Sequence, residues 1–243
     1  MRGDFEAYLT ISLDEILGME DEAGVDVVVV MPKPEMEAKN KELVETLGDN
    51  PRTLGCPLIN PHKGAEAVAE LKTAVTEWGL KGMKLMPAIQ QYNVDDEMVL
   101  PLMRTAQELG IIVSIHSGPD NCHPVRIGNI ASQFPEVPII MDHMGFPDNV
   151  QEAIEVAEKN SNIYLGTTIL RFHRRWADDP DEAVPIEVKE AVERLGPERV
   201  VFGSNLPEYR PIQVMRAIQR LELGEETESL IFGENLARIY QLS

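Results

Sequence analysis

Hydrophobic positions along the chain fall into two alternating periods. Short, uniformly apolar runs rich in Val and Ile recur at about 27–31, 54–59, 82–86, 111–116, 138–143, 163–167 and 199–204. VVVVMP and IIVSIHSG are typical, and such runs predict strands buried on both faces. Between them lie amphipathic stretches with apolar residues every third or fourth position, predicting helices at 12–23, 35–47, 65–78, 96–109, around 125–133, 149–159, 186–195, 213–221 and 226–240. The first is marked most clearly. Ser12 and Glu15 stand at capping-box spacing, and Gly24 closes it.

Strands alternating with helices of this length mean βαβ units and a parallel sheet. Seven such strands in 243 residues fit an α/β fold of the (β/α)₈ TIM-like barrel kind. A doubly wound sheet is the rival, but it requires a glycine-rich turn after the first strand, and VVVVMPKPEME has no glycine there. One barrel strand is unaccounted for. Ahead of the Ser12 helix stands only FEAYLTI, whose alternation reads as half-exposed rather than central. The expectation is a single domain over 1–243 that lacks its first strand or starts late. The exposed edges would then be covered by residues 1–11 or by a second subunit, so a homo-oligomer is one solution.

Composition narrows the partners. A formal charge of −19 repels phosphate backbones and anionic lipid, which argues against nucleic-acid and membrane binding and leaves a small-molecule substrate. Two cysteines, Cys56 and Cys122, make no disulfide framework. No signal peptide opens the chain, and no apolar run reaches the ~18 residues of a membrane span, so a cytoplasmic protein is expected.

In a barrel the chemistry sits at the carboxyl ends of the strands. Those positions hold Lys84, His116, His143 and Asn205. By alternation His116 shares a side with Ser114 and Ile112, and His143 with Met141 and Ile139. Two histidines ending adjacent strands, each followed by a small or flexible residue, can converge on one metal ion or act in acid–base chemistry. Taken singly, a histidine at a strand end is more often a hydrogen-bonded structural residue.

The segments GMKLMP, Tyr92-Asn93, PLMRTAQELGIIVSIHSG, VPIIMDHMG, VVFGSNLPE and IFGENLARIYQL resemble the amidohydrolase-related family. The branch is the one of aminocarboxymuconate-semialdehyde-type decarboxylases and related metal-dependent hydrolases. The resemblance runs from about residue 12 to the C-terminus. It implies a (β/α)₈ barrel with a divalent metal, usually zinc, at the catalytic face. His116 falls on a metal ligand, and His143 on the histidine beside the metal that polarises substrate or moves protons. Lys84 falls at the end of the fourth strand as a charge near the substrate.

Two departures accompany the resemblance. The family's His-x-His on the first strand is absent, and Asn205 stands where a metal-binding Asp is usual. An amide cannot accept a proton as a carboxylate does. With His116 and His143 alone, metal binding is expected to be weak or absent.

Three further places complete the candidates. Cys122-His123 could join His116 and His143 in a Cys/His zinc site, or could simply form a turn. In the loop ILRFHRRWADDPDEA, Arg171 or a neighbour could hold a substrate carboxylate, or pair with Asp178, Asp179 and Asp181. Tyr92 is a pocket candidate, and His62 is assigned nothing. Two readings follow: a metal-dependent hydrolase or decarboxylase acting on a small carboxylated or cyclic substrate, or an impaired barrel that binds a small ligand or serves an assembly.

Overall fold

The computed structural model describes residues 1–170 and 182–242. Among these, eight parallel strands alternate with helices. β1 (Gly3–Leu9), β2 (Val27–Pro32) and β3 (Thr53–Gly55) form one sheet in that order. β4 (Met83–Leu85), β5 (Val113–Ile115), β6 (Ile139–Met141), β7 (Ile163–Gly166) and β8 (Val200–Val201) form the other. Regular pairing lapses at two seams, and single bridges cross each. Leu58 pairs with Lys84 between β3 and β4, and Ala7 pairs with Leu206 between β8 and β1. Backbone N–H groups of Phe5 and Tyr8 donate to Phe202 and Leu206 at 3.1 and 2.8 Å, so the ring comes round on itself.

The segment expected to be half-exposed is the first strand. Gly3–Tyr8 are all buried, and β1 pairs parallel with β2. Residues 1–11 thus cover the edge that the seven-strand count left open. A bulge between Asp4 and Ala7 shifts the register and turns both Phe5 and Glu6 inward. Phe5 fills the barrel against Gly166 and Gly203, where a Cβ would come within 2.6 and 2.4 Å of its ring. Only glycine leaves room for that ring.

Elsewhere strand parity sorts the core into layers. Met83 and Leu85, Val113 and Ile115, Ile139 and Met141 face the helices. Val29, Met31, Cys56, Ile112, Ile140 and Val201 share the other cluster, with Phe5 and Tyr8. The Ser12–Glu15 capping box forms as expected at the start of the Leu13–Ala23 helix, and Gly24 ends it in the left-handed conformation at φ 67°. The stretch 226–240, expected as one helix, is broken. Leu230–Glu234 opens into a wide turn around Gly233, whose Cβ position would lie 2.3 Å from the carbonyl oxygen of Met1. The entering first strand forces that break. Among the described residues no helix is long and apolar enough to cross a membrane.

Candidate active site

The carboxyl ends of the strands carry a buried polar floor. Lys84, wholly buried on the inward side of β4, donates from Nζ to Glu6 Oε1 at 2.8 Å and also to Asp142 Oδ2. Ser114, inward on β5, lies 3.3 Å from the same ammonium and donates to Asp142 Oδ1 at 2.8 Å. The Tyr8 hydroxyl donates to Glu6 Oε1. Burial alone would push the Glu6 carboxyl up, but Lys84 and, less, His143 bring it down to about 2. Glu6 is therefore a carboxylate tied to an ammonium, and its Oε2 is buried without a hydrogen-bond partner.

Above the floor stands a row of neutral groups. His143 Nε2 lies 2.9 Å from His116 Nδ1, with ring centroids 4.7 Å apart at 77°. His143 Nδ1 lies 2.6 Å from Thr168 Oγ1, which also accepts the His143 backbone N–H at 3.1 Å. Burial, more than the nearby lysine, lowers the His143 pKa to about 4 and holds His116 well below its ordinary value. Both rings are thus uncharged at neutral pH. The histidine expected on the Met141 side reaches the mouth by another route. The strand ends at Met141, and His143 and Met144 take left-handed conformations at φ 59° and 49°, which swings His143 inward beside Asp142. Alternation stops at Met141; Asp142 takes the inward place below His143.

Together these groups border a cavity of about 400 Å³ lined by Tyr8, Thr10, Pro34, Met86, His116, His143, Ile169, Asn205, Pro207 and Glu208. Ile169 and Asn205 are left-handed too, at φ 56° and 61°. For a β-branched residue that is an uncommon and costly backbone. His143, Ile169 and Asn205, three of the left-handed non-glycine residues, thus line one cavity.

Lys84, His116, His143 and Asn205 meet at this mouth. Asn205 donates from Nδ2 to Glu208 Oε2 at 2.9 Å. Tyr92 is buried in the layer between strands and helices, edge-on to His62 at 5.9 Å, and does not line the cavity. A short helix, Pro87–Gln90, and a left-handed Gln91 turn it away. His123 uses both ring nitrogens at the start of the Pro124–Gln133 helix, accepting from the Val125 N–H and meeting Asn149 Nδ2 at 3.1 Å, so it joins no donor set with His116. Arg171 and the basic loop after it lie outside the described residues. Glu6, Asp142, Thr168 and Glu208 were missed. The hint for Asp142 was its place between the sixth strand and His143.

Comparison with known proteins agrees with this fold. The amidohydrolase family model matches residues 1–242. No curated protein matches the chain. Among solved structures, 5-carboxyvanillate decarboxylase from Sphingomonas paucimobilis is 16% identical with a TM-score of 0.76, covering 100% of this chain and 99% of that one. A dihydroxybenzoic acid decarboxylase from Polaromonas, with bound manganese and the inhibitor 2-nitroresorcinol, is 15% identical with a TM-score of 0.74, covering 99% and 97%. A 5-carboxyvanillate decarboxylase from Novosphingobium aromaticivorans, also with bound manganese, is 17% identical with a TM-score of 0.70, covering 94% and 80%. Two of the three hold manganese, so a divalent ion is admissible for a barrel of this kind.

The residues themselves are the test of that ion. Glu6, Asp142 and His143 offer ligand atoms within 4.8 Å of one another, a suitable donor number. Yet the Lys84 ammonium already bonds an oxygen of both carboxylates, His143 spends its nitrogens on Thr168 and His116, and Asn205 is held by Glu208. The first strand presents Glu6-Ala7-Tyr8 where the resemblance places His-x-His. A dication at the Glu6–Asp142 oxygens would share space with an ammonium, so the donors as arranged do not fit it. Strand count, the inward layer at the strand ends and the family match over residues 1–242 converge: the chain belongs to the amidohydrolase family.

Proposed function

We propose that this chain is an acid–base enzyme acting on a small carboxylated ring compound, with decarboxylation as the reaction. The observation that carries the reading is the row Thr168–His143–His116 ending at the cavity. His143 has both ring nitrogens engaged, whereas His116 uses Nδ1 and leaves Nε2 for a ligand. The volume of about 400 Å³ and the apolar side chains Met86 and Ile169 suit a single ring. The decarboxylase neighbours lend the reaction class its support.

The row has two hydrogen-bond polarities. With Thr168 donating to His143 Nδ1, the ring passes its Nε2 proton toward His116, which then offers an N–H at Nε2. With the polarity reversed, His116 Nε2 is a bare acceptor. A substrate carboxylate entering this dry site favours a charged imidazole, and Glu6 favours it too, so the pair gains a proton on binding. His116 delivers that proton to the ring carbon bearing the carboxylate. The C–C bond then breaks, its electron pair returns to the ring, and CO₂ leaves. Asn205 and Glu208 orient a ring hydroxyl, and Arg171, two residues along the chain from Ile169, is assigned the substrate carboxylate. Lys84 keeps Glu6 ionised and holds Asp142 in place.

A hydrolytic or purely binding role is the second reading, favoured by Asn205 in place of a carboxylate. The test is CO₂ release from 2,6-dihydroxybenzoate and 5-carboxyvanillate, with calorimetric binding of the same acids. Wild type should release CO₂, and His116→Ala should lose about 10²–10⁴-fold in rate while still binding. Binding without release supports the second reading. No binding and no release would overturn the proposal.

A further inference from the structure

We infer that the Lys84 ammonium is this barrel's resident cation, standing at the place that a divalent ion would otherwise take between β1 and β6. The inference does not rest on decarboxylation; it concerns how the floor of the mouth balances its charge.

Four observations carry it. Lys84 is wholly buried, and its Nζ touches one oxygen each of Glu6 and Asp142, both also wholly buried. Those two carboxylates, with His143, are the one donor group among the described residues with metal-binding spacing. The remaining contacts of the ammonium are neutral, the Ser114 hydroxyl at 3.3 Å and the Tyr8 ring with its centroid 5.8 Å away. Finally, Asn205, at the end of β8, brings no further negative charge to the mouth.

Electrostatics then settles which cation stays. An ammonium cannot leave, since it is covalently part of β4. A dication entering beside it meets a like charge in a low-dielectric site and must displace it from both carboxylates. Two carboxylates and one ammonium leave a residual charge of −1, far less than two bare carboxylates would present. The same logic predicts the converse. Removing the amine while keeping the side-chain volume leaves two buried carboxylates with no cation between them, and their oxygens are the ligands a divalent ion takes.

The experiment compares the wild-type protein with Lys84→Met after EDTA dialysis. Each is incubated with Mn²⁺ or Zn²⁺, desalted and analysed for bound metal, and its thermal midpoint is recorded with and without the ion. The wild type should retain under about 0.1 equivalent and show no shift in midpoint. Lys84→Met should take up about one equivalent, with its midpoint rising as the ion is added. Near-stoichiometric metal on the wild type overturns the inference, and that arm needs no variant to fold. A folded Lys84→Met that stays metal-free overturns it as well. If the variant folds only when produced with the ion present, the inference is supported.

Discussion

The floor and the rim of the barrel mouth lie one layer apart and solve burial in opposite ways. The floor is ionic: Glu6 and Asp142 are held by Lys84, and every member is fully buried. The rim is neutral: His116, His143 and Thr168 are joined by hydrogen bonds, with burial keeping the imidazoles uncharged. Buried ions are tolerable only when paired, whereas neutral imidazoles need only a donor and an acceptor. The floor is therefore the more fragile layer, and the rim the one free to gain or lose a proton.

Breaking the floor should give the largest effect. Lys84→Met strands two carboxylates and should cost about 3–5 kcal/mol at neutral pH, read from urea unfolding without added metal. The cost should shrink in acid. Glu6 has its folded pKa lowered to about 2, so its contribution is complete above the ordinary carboxylate value of 4.5 and is lost as pH falls toward 2. Wild type and variant should converge there. A penalty that stays constant down to pH 3 would mean that the floor is held by packing rather than by charge.

A smaller effect lies just behind the floor. Asp4 Oδ1 accepts the backbone N–H groups of Glu6 at 3.0 Å and Ser204 at 3.1 Å, stitching β1 to the segment after β8. Burial, outweighing those hydrogen bonds, raises its pKa to about 7. A raised carboxyl gives stability that is present below its ordinary value of 3.8 and is lost as pH rises through 7. Asp4→Asn keeps the acceptor and removes the titration. Subtracting the two profiles cancels the opposite trend of His143, which costs stability as pH falls from 6.5 toward 4. The variant should gain on wild type as pH rises from 4 to 8, by about 2–4 kcal/mol in total and no more than about 1.4 kcal/mol per pH unit. A flat difference would place Asp4's charge outside the closed seam.

The contrast between the layers also explains what was legible in the chain. Seven strands and the meeting of His116 with His143 follow from apolar runs and equal placement at the ends of neighbouring strands. The floor was illegible for a physical reason. FEAYLTI reads as half-exposed because the partners that let the first strand be buried, Lys84 for Glu6 and Ser204 for Asp4, stand far along the chain, and no local pattern records such a pairing. That hid the first strand as well as the floor. Asp142 was overlooked because alternation was carried past Met141, where the left-handed backbone of His143 ends it. Tyr92 misled in the other direction, since a turn after β4 is what takes it out of the mouth.

The smallest effect should come from the rim, and it bears most directly on function. Thr168→Val is nearly isosteric and removes one hydroxyl, which serves both His143 Nδ1 and the His143 backbone N–H. The lost hydrogen bonds should cost about 1–2 kcal/mol of stability, less than Lys84→Met costs at the floor. His143 would keep its contact with His116 but lose the hydroxyl that donates to its Nδ1 in the polarity that places an N–H at His116 Nε2. That polarity would be less favoured, and His116 Nε2 would offer a proton less often. The rate of CO₂ release should fall about tenfold with little change in the affinity for the acid, and Thr168→Ser, which restores the hydroxyl, should recover most of it. If Thr168→Val instead weakens binding and leaves the rate alone, Thr168 shapes the cavity and the rim holds no proton row.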